Sequence, residues 1–198
     1  MSADMIIRTA SSKLPTPHGT FKIIVYRSSP DLREHVALIL GKIALPMLVR
    51  VHSKCLTGDT LGSLMCDCGE QLHMSLEMIQ RAGSGILLYL DQEGRGIGLS
   101  NKIQAYAHQA RGLDTVEANH ALGFSSDERD YWVAADILRD LKVRSISLLT
   151  NNPKKIRALK IRGIRVVKRV PLETAPNATN RRYLSTKKRK LGHRLRSV

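Results

Sequence analysis

Three cysteines are the residues whose spacing points first to chemistry. Ten residues separate Cys55 from the pair Cys66-Asp67-Cys68, and the chain holds no other cysteine. A lone cysteine is often just a small buried hydrophobe. Three in one window suit a metal instead, because a backbone turn at C-x-C brings two sulfurs onto one ion. Soft thiolates favour zinc. A structural zinc takes four protein ligands, whereas a catalytic one keeps three and leaves the fourth place to water. Three cysteines fit the open case, and such an ion lowers the pKa of its water toward ~7. A nearby His52 or His73 would close the site instead.

Three further constellations suit an anionic ligand. Gln92-Glu93-Gly94-Arg95-Gly96-Ile97-Gly98 stands between an apolar run and a helical pattern. Glycines there let backbone N–H groups approach an anion, and Arg95 adds a bidentate donor. The spacing is neither the Rossmann nor the P-loop fingerprint, and a plain glycine-rich turn reads the same way. Asp127-Glu128-Arg129-Asp130 precedes a helical pattern, where acids also serve as simple caps. Thr150-Asn151-Asn152-Pro153-Lys154-Lys155 follows a strand pattern. Open α/β sheets place ligands at such strand ends, although solvated lysines in a polar turn look alike. Tyr106 falls on the apolar stripe of its helix, which by itself means packing.

Periodicity supplies the elements that must position these residues. Alternation predicts strands at Phe21–Tyr26, His35–Leu40 and Met47–Ser53. Leu72, Leu76 and Ile79 predict a helix over Glu70–Arg81, stopped near Gly83. Ile86–Leu90 reads as a strand buried on both faces. Helices follow at Leu99–Arg111 and over Ala134–Leu141, the latter entered through Ser125, Ser126 and Asp127 as caps. Ser145–Thr150, Pro153–Arg162 and Ile164–Lys168 read as strand, helix and strand. The alternation predicts an α/β (mixed α+β) fold, a mixed sheet flanked by helices.

Length and composition bound the rest. The 198 residues suffice for one domain with a substantial core. No apolar run is long enough for a membrane span or, in residues 1–17, for a signal peptide. Three cysteines make no closed disulfide framework, so the cytoplasm is expected. The net charge of +15 is uneven: residues 1–150 carry sixteen basic and sixteen acidic residues, residues 151–198 sixteen basic residues and only Glu173. The division expected is a catalytic domain over 1–173 and a basic, partly mobile tail over 174–198. A basic surface attracts nucleic acid, acidic lipid or polyphosphate. A nucleic-acid-binding protein with a structural zinc is therefore the alternative from another class. Aromatics of only 4% argue against it, since stacking platforms are then scarce.

The motifs converge on one resemblance. RVHSKCLTGD at 50–59, GSLMCDCG at 62–69, QEGRGIGL at 92–99, NKI-x-AYA at 101–107, DTVEAN at 114–119, LGF-x-x-DERD at 122–130 and TNNPKK at 150–155 resemble GTP cyclohydrolase II, from about Lys13 to Leu195. The resemblance implies one zinc on Cys55, Cys66 and Cys68. It implies opening of the imidazole ring of GTP at C8, with loss of formate and pyrophosphate. The product is 2,5-diamino-6-(5-phosphoribosylamino)pyrimidin-4-one, the first committed intermediate of riboflavin synthesis. Magnesium at the phosphates and a homodimer belong to the same pattern, in the stand-alone form without a dihydroxybutanone phosphate synthase domain.

By the same matching, Tyr106 holds or donates the proton for the departing ring nitrogen. Asp127 matches the proton acceptor and Arg129 the nucleophile toward the α-phosphorus. A guanidinium above pKa ~12 is a poor nucleophile, so charge stabilisation suits Arg129 better. Arg50, Val51, His52, Ser53, Lys54, Gln71, Glu93, Gly94, Arg95, Thr115, Thr150 and Lys155 match the GTP-binding positions. Glu93 would accept from guanine N1–H and the 2-amino group. Four positions depart from the pattern: Lys54 stands where Glu is usual, Met65 where Arg is usual, and Asp91 and Gln104 where a basic residue is common. Arg to Met deletes a fixed cation and a bidentate donor, so a homologue that leaves a formylated pyrimidine is the alternative within the family. Nonspecific RNA contact is expected of the basic tail, and no membrane contact.

Overall fold

The computed structural model describes residues 5–198; residues 1–4, which open the expected catalytic domain and the segment read as lacking a signal peptide, lie outside the described residues. The chain divides into two compact units. One comprises residues up to His52, His73–Asp91 and Asp130–Leu172; the other comprises Ser53–Leu72, Gln92–Arg129 and Glu173–Val198.

The first unit is built on a sheet. Its strands are β1 (Met5–Thr16), β2 (Gly19–Ser29), β3 (Glu34–Leu40), β4 (Met47–Ser53), β5 (Gly85–Leu90), β6 (Ser145–Leu149) and β7 (Arg165–Val170). They lie in the order β1-β2-β3-β5-β4-β6-β7. Antiparallel pairing joins β1, β2, β3 and β5 in succession, and parallel pairing joins β4 to β6 and β6 to β7, so the sheet is mixed. The apolar runs of β5 and β6 are buried together with Val49, Val51, Ile24 and Tyr26. Helix α5 (Trp132–Asp140) contributes Val133, Ala134, Ile137 and Leu138 to the same core, and α6 (Pro153–Ile161) contributes Leu159.

The second unit is helical. It holds the single turn α1 (Leu56–Asp59), a 3-10 turn at Glu93–Gly96, α3 (Gly98–Ala110), α4 (Thr115–Ala121) and α7 (Arg181–Leu191). Helix α2 (Cys68–Ala82) starts in this unit and continues in the first. Among the described residues no helix is long and apolar enough to cross a membrane.

Most elements expected from periodicity are present, with shifted ends. Besides the two single turns at Leu56–Asp59 and Glu93–Gly96, three are additional. β1 is exposed on both faces, so no apolar alternation marks it. α4 starts from a capping box in which Asp114 accepts from Val116 and Glu117 N–H groups while the Glu117 carboxylate accepts from Asp114 N–H. α7 lies within the basic stretch to which the sequence reading gives no element. Ser125, Ser126 and Asp127 do not cap α5, which begins only at Trp132; there Asp130 accepts from Trp132 N–H at 2.7 Å.

Candidate active site

The three sulfurs meet in the second unit. Cys55 ends β4's outgoing loop and opens α1, and its N–H donates to Asp59 Oδ2 at 2.9 Å. The three Sγ atoms lie within 4.8 Å of one another, and those of Cys55 and Cys66 are 3.7 Å apart. A tetrahedral ion with ~2.3 Å bonds to sulfur sets its ligands ~3.8 Å apart. A β-carbon on Gly58 would sit 2.8 Å from Cys66 Sγ and 3.2 Å from Cys55 Sγ, so the sulfurs converge where the chain offers no side chain. Cys55 and Cys66 are buried and Cys68 partly so. The donor set therefore fits a soft divalent ion. Neither His52 nor His73 belongs to this group.

A buried lysine that the sequence reading overlooked organises the cluster. Lys102, in the second turn of α3, donates to Cys55 Sγ at 3.1 Å and to Glu93 Oε1 at 2.7 Å. Burial works against its charge, but the Glu93 and Cys55 contacts more than offset that and hold the ammonium well above its ordinary value. Contacts from Cys66, Cys68 and Lys102 hold the Cys55 thiol far below its usual value. Cys66, which shares its hydrogen bond with Cys55, is pushed up to about 11, and Cys68 rises for the same reason with burial added.

Both Glu93 oxygens are engaged within the chain. Oε2 accepts from Leu56 N–H at 2.6 Å, and Oε1 accepts from Gly94 N–H at 2.9 Å besides Lys102. Glu93 thus ties the glycine-rich turn to the cysteine loop. Gly94 and Arg95 both adopt left-handed backbone angles, with φ of 62° and 61°. Glycine takes this readily and arginine at a cost. Arg95 Nη1 donates to the Ser126 carbonyl at 3.1 Å, and its buried Nη2 has no protein partner.

Tyr106 stands one turn beyond Lys102. Its hydroxyl shares a 3.3 Å hydrogen bond with Thr57 Oγ1, which lies 3.7 Å from Cys55 Sγ. Burial is the main cause that pushes its phenol up to about 12; Thr57 and Lys102 only moderate the rise. Asp127 and Arg129 form a two-pronged ion pair, Nε to Oδ1 and Nη2 to Oδ2, both at 2.7 Å. Burial pushes the Asp127 carboxyl up, but the Arg129 contacts, with Arg95 behind them, hold it below the usual carboxylate range. Ser53 Oγ lies 3.5 Å from Arg129 Nη1 and donates to Gln92 Oε1 at 3.3 Å.

The other expected binding residues divide between the units. Gln71 Nε2 donates to Asp67 Oδ2, and Thr115 is buried in the first turn of α4; with Ser53, Lys54, Glu93, Gly94 and Arg95 they belong to the second unit. Arg50, Val51, His52, Thr150 and Lys155 belong to the first. There Arg50 donates to the Leu149 carbonyl, His52 stacks on Tyr89, and Lys155 donates to the Val51 carbonyl at 2.6 Å. Thr150 Oγ1 accepts from Asn152 N–H at the end of β6. Val51 has its side chain in the core.

An α/β fold with a three-thiol cluster, a phenol linked to it through Thr57 and an acid–guanidinium pair in the same unit defines a candidate metal-dependent enzyme. Residues 7–171 match the profile of the GTP cyclohydrolase II family, and the chain belongs to that family. It is 52% identical over 191 residues to riboflavin biosynthesis protein RibBA of Chlorobium phaeovibrioides, covering 96% of this chain and 47% of that protein. It is 54% identical over 193 residues to RibBA of Bacillus mycoides, covering 96% and 49%. The chain thus spans about half the length of the curated relatives it matches. A solved structure, RibBX, a two domain 3,4-dihydroxy-2-butanone 4-phosphate synthase from A. baumannii, is similar with a TM-score of 0.46. It is 21% identical over 85% of this chain and 40% of that one, too distant a likeness to carry an argument.

Proposed function

We propose that this chain hydrolyses GTP at C8 of the guanine ring and releases formate and pyrophosphate, as a zinc enzyme of riboflavin synthesis. The product read for it is 2,5-diamino-6-(5-phosphoribosylamino)pyrimidin-4-one. The observation that carries the reading is the meeting of Cys55, Cys66 and Cys68 with a protonated Tyr106 linked to them through Thr57. Held by the three sulfurs, zinc would supply a Lewis acid and hydroxide at neutral pH.

The chain's own residues have separable tasks in this reading. Tyr106, at about 12, keeps its proton near neutrality and suits donation to the ring nitrogen that departs. Arg95 offers the α-, β- or γ-phosphate a buried donor that has no protein partner. Asp127, already below the carboxylate range, does not draw a proton from Arg129. Arg129 therefore suits stabilising charge on the α-phosphate, with Asp127 holding its fork in place. Glu93, with both oxygens engaged, suits fixing the loop better than reading guanine. Arg50, Val51, His52, Ser53, Lys54, Gln71, Gly94, Thr115, Thr150 and Lys155 remain in the reading as GTP-binding positions by the family match alone. So do magnesium at the triphosphate, a homodimer and a cytoplasmic setting.

The test is purified protein with GTP, zinc and magnesium, following free formate and pyrimidine absorbance. Turnover that disappears in Cys66→Ser supports the reading. Intact GTP in the presence of bound zinc overturns it. A formylated pyrimidine without free formate would favour the divergent homologue, with Lys54 and Met65, both partly buried next to the cysteines in sequence, as its cause.

A further inference from the structure

Helix α7 lies beyond the residues that match the family. A helix with arginine or lysine at six of its eleven positions, Arg181, Arg182, Lys187, Lys188, Arg189 and Lys190, belongs in solvent on all sides. Lys187 is turned inward instead. Its Nζ donates to Asp67 Oδ1 at 2.6 Å, and the two side chains are only 11% and 2% exposed. Asp67 is the residue between Cys66 and Cys68, and its other oxygen accepts from Gln71. One turn earlier, the Tyr183 ring has the Lys187 ammonium 4.4 Å and the Arg95 guanidinium 5.6 Å from its centroid. Leu184 and Leu191 are buried, and Lys190 pairs with Asp114 and Glu117 at the start of α4. One helix therefore reaches both the thiol loop and the glycine-rich turn.

We propose that α7 is a positioning element of the site, in which Lys187 fixes the C-x-C loop through Asp67 and the Tyr183 ring fixes the Arg95 side chain. The inference rests on reading the thiols as a zinc site and Arg95 as a phosphate donor. Without Lys187, the carboxylate buried between two sulfur ligands loses the ammonium that stands 2.6 Å from its Oδ1, and the loop must move to hydrate it. Without the Tyr183 ring, the Arg95 side chain keeps its Ser126 hydrogen bond and the attraction of Asp127 but loses a favoured face.

Full-length Lys187→Met, Lys187→Arg and the double variant Asp67→Asn with Lys187→Met decide the first part. Zinc transfer to a chromogenic chelator is measured, and then the rate of thiol alkylation in zinc-stripped protein. Lys187→Met is expected to hold zinc roughly 10- to 100-fold less tightly, the scale seen when support around the ligands of a metal site is lost, and to alkylate faster. Lys187→Arg restores retention, and the double variant recovers part of the loss because the buried carboxylate charge is removed together with the ammonium that faced it. Tyr183→Leu raises KM for GTP more than it lowers kcat, while Tyr183→Phe leaves both unchanged. Wild-type zinc retention and alkylation in Lys187→Met overturn the proposal. Should that variant not fold, a double variant no better than Asp67→Asn alone overturns it. If wild-type protein binds no zinc or leaves GTP intact, the reading of function fails instead, and the alkylation rates still decide whether α7 fixes the loop.

Discussion

Gly58 has no side chain where three sulfurs close in, and the smallest addition tests that fit. A methyl group there would overlap Cys66 Sγ at 2.8 Å and stand against Cys68 Cβ at 3.0 Å, so Gly58→Ala must push sulfurs apart. Chelator competition is expected to show at least a roughly tenfold loss of zinc affinity; unchanged affinity would mean that the sulfurs converge elsewhere. Arg129→Lys keeps a cation but gives up the fork that meets both Asp127 oxygens. GTP turnover should fall by about 10²- to 10³-fold, the scale of losing one aimed donor, and an equal kcat would remove Arg129 from the phosphate step. The cysteines were legible from residue type and spacing, whereas Tyr106, Asp127 and Arg129, which alone read as packing and caps, stood out only through the resemblance of the motifs that hold them. Lys102 was legible in part, since it precedes Tyr106 by four positions on one helix and so shares its face. The Asp67–Lys187 pair was not, because no local pattern links residues 120 positions apart.

At the level of elements, the strongest signals came from strands buried on both sides. β5 reads as a continuous apolar run, and Leu88 at its centre is fully buried. Leu88→Ala should cost about 2–5 kcal/mol in denaturant unfolding; a cost under about 1 kcal/mol would mean that the core repacks around it. Signals failed where an element buries little. β1 alternates nothing, and α7 announces charge rather than the two leucines that anchor it. The capping box of α4, Asp-x-x-Glu before an apolar residue, was present in the sequence and passed unread. A pH response also belongs to this level. His35 in β3 accepts from Asp91 N–H through Nδ1 at 3.1 Å and shares a 3.0 Å hydrogen bond with Ser28 Oγ of β2 through Nε2. Burial lowers its pKa, and Arg33 adds to this, outweighing the upward pull of Asp31 and Asp91. The unfolded chain, with an ordinary value near ~6.5, then takes up the proton first as pH falls. The stability from neutral His35 is present above that value and is lost on acidification through it and down to the lower folded value. The thermal midpoint should therefore drop between about pH 7 and pH 5.5, and His35→Gln should flatten that part of the profile. An equal slope in both proteins would assign the effect to other groups.

At the scale of the whole molecule, the excess charge of +15 lies beyond residue 150, most of it on α6, β7 and α7. Arg181 and Arg189 are exposed on α7, so a polyanion can reach them. Binding to single-stranded RNA should be weak and steeply salt-dependent, and replacing both arginines by glutamine should lower the salt slope by about two. A slope that does not change would place the contact elsewhere. Composition gave the sign of this field but not its division between lysines that face solvent and those, like Lys155 and Lys187, that turn inward to carbonyls and carboxylates. β1 has a different consequence. It meets β2 on one side and faces open solvent on the other, held to α5 by the Arg8–Asp140 ion pair. Every second amide of such a rim strand points outward and swaps its hydrogen for deuterium freely, whereas the amides of β5 must wait for the sheet to come apart. An exchange experiment would thus read this sheet as a clock that runs fast at its margin and slow at its centre.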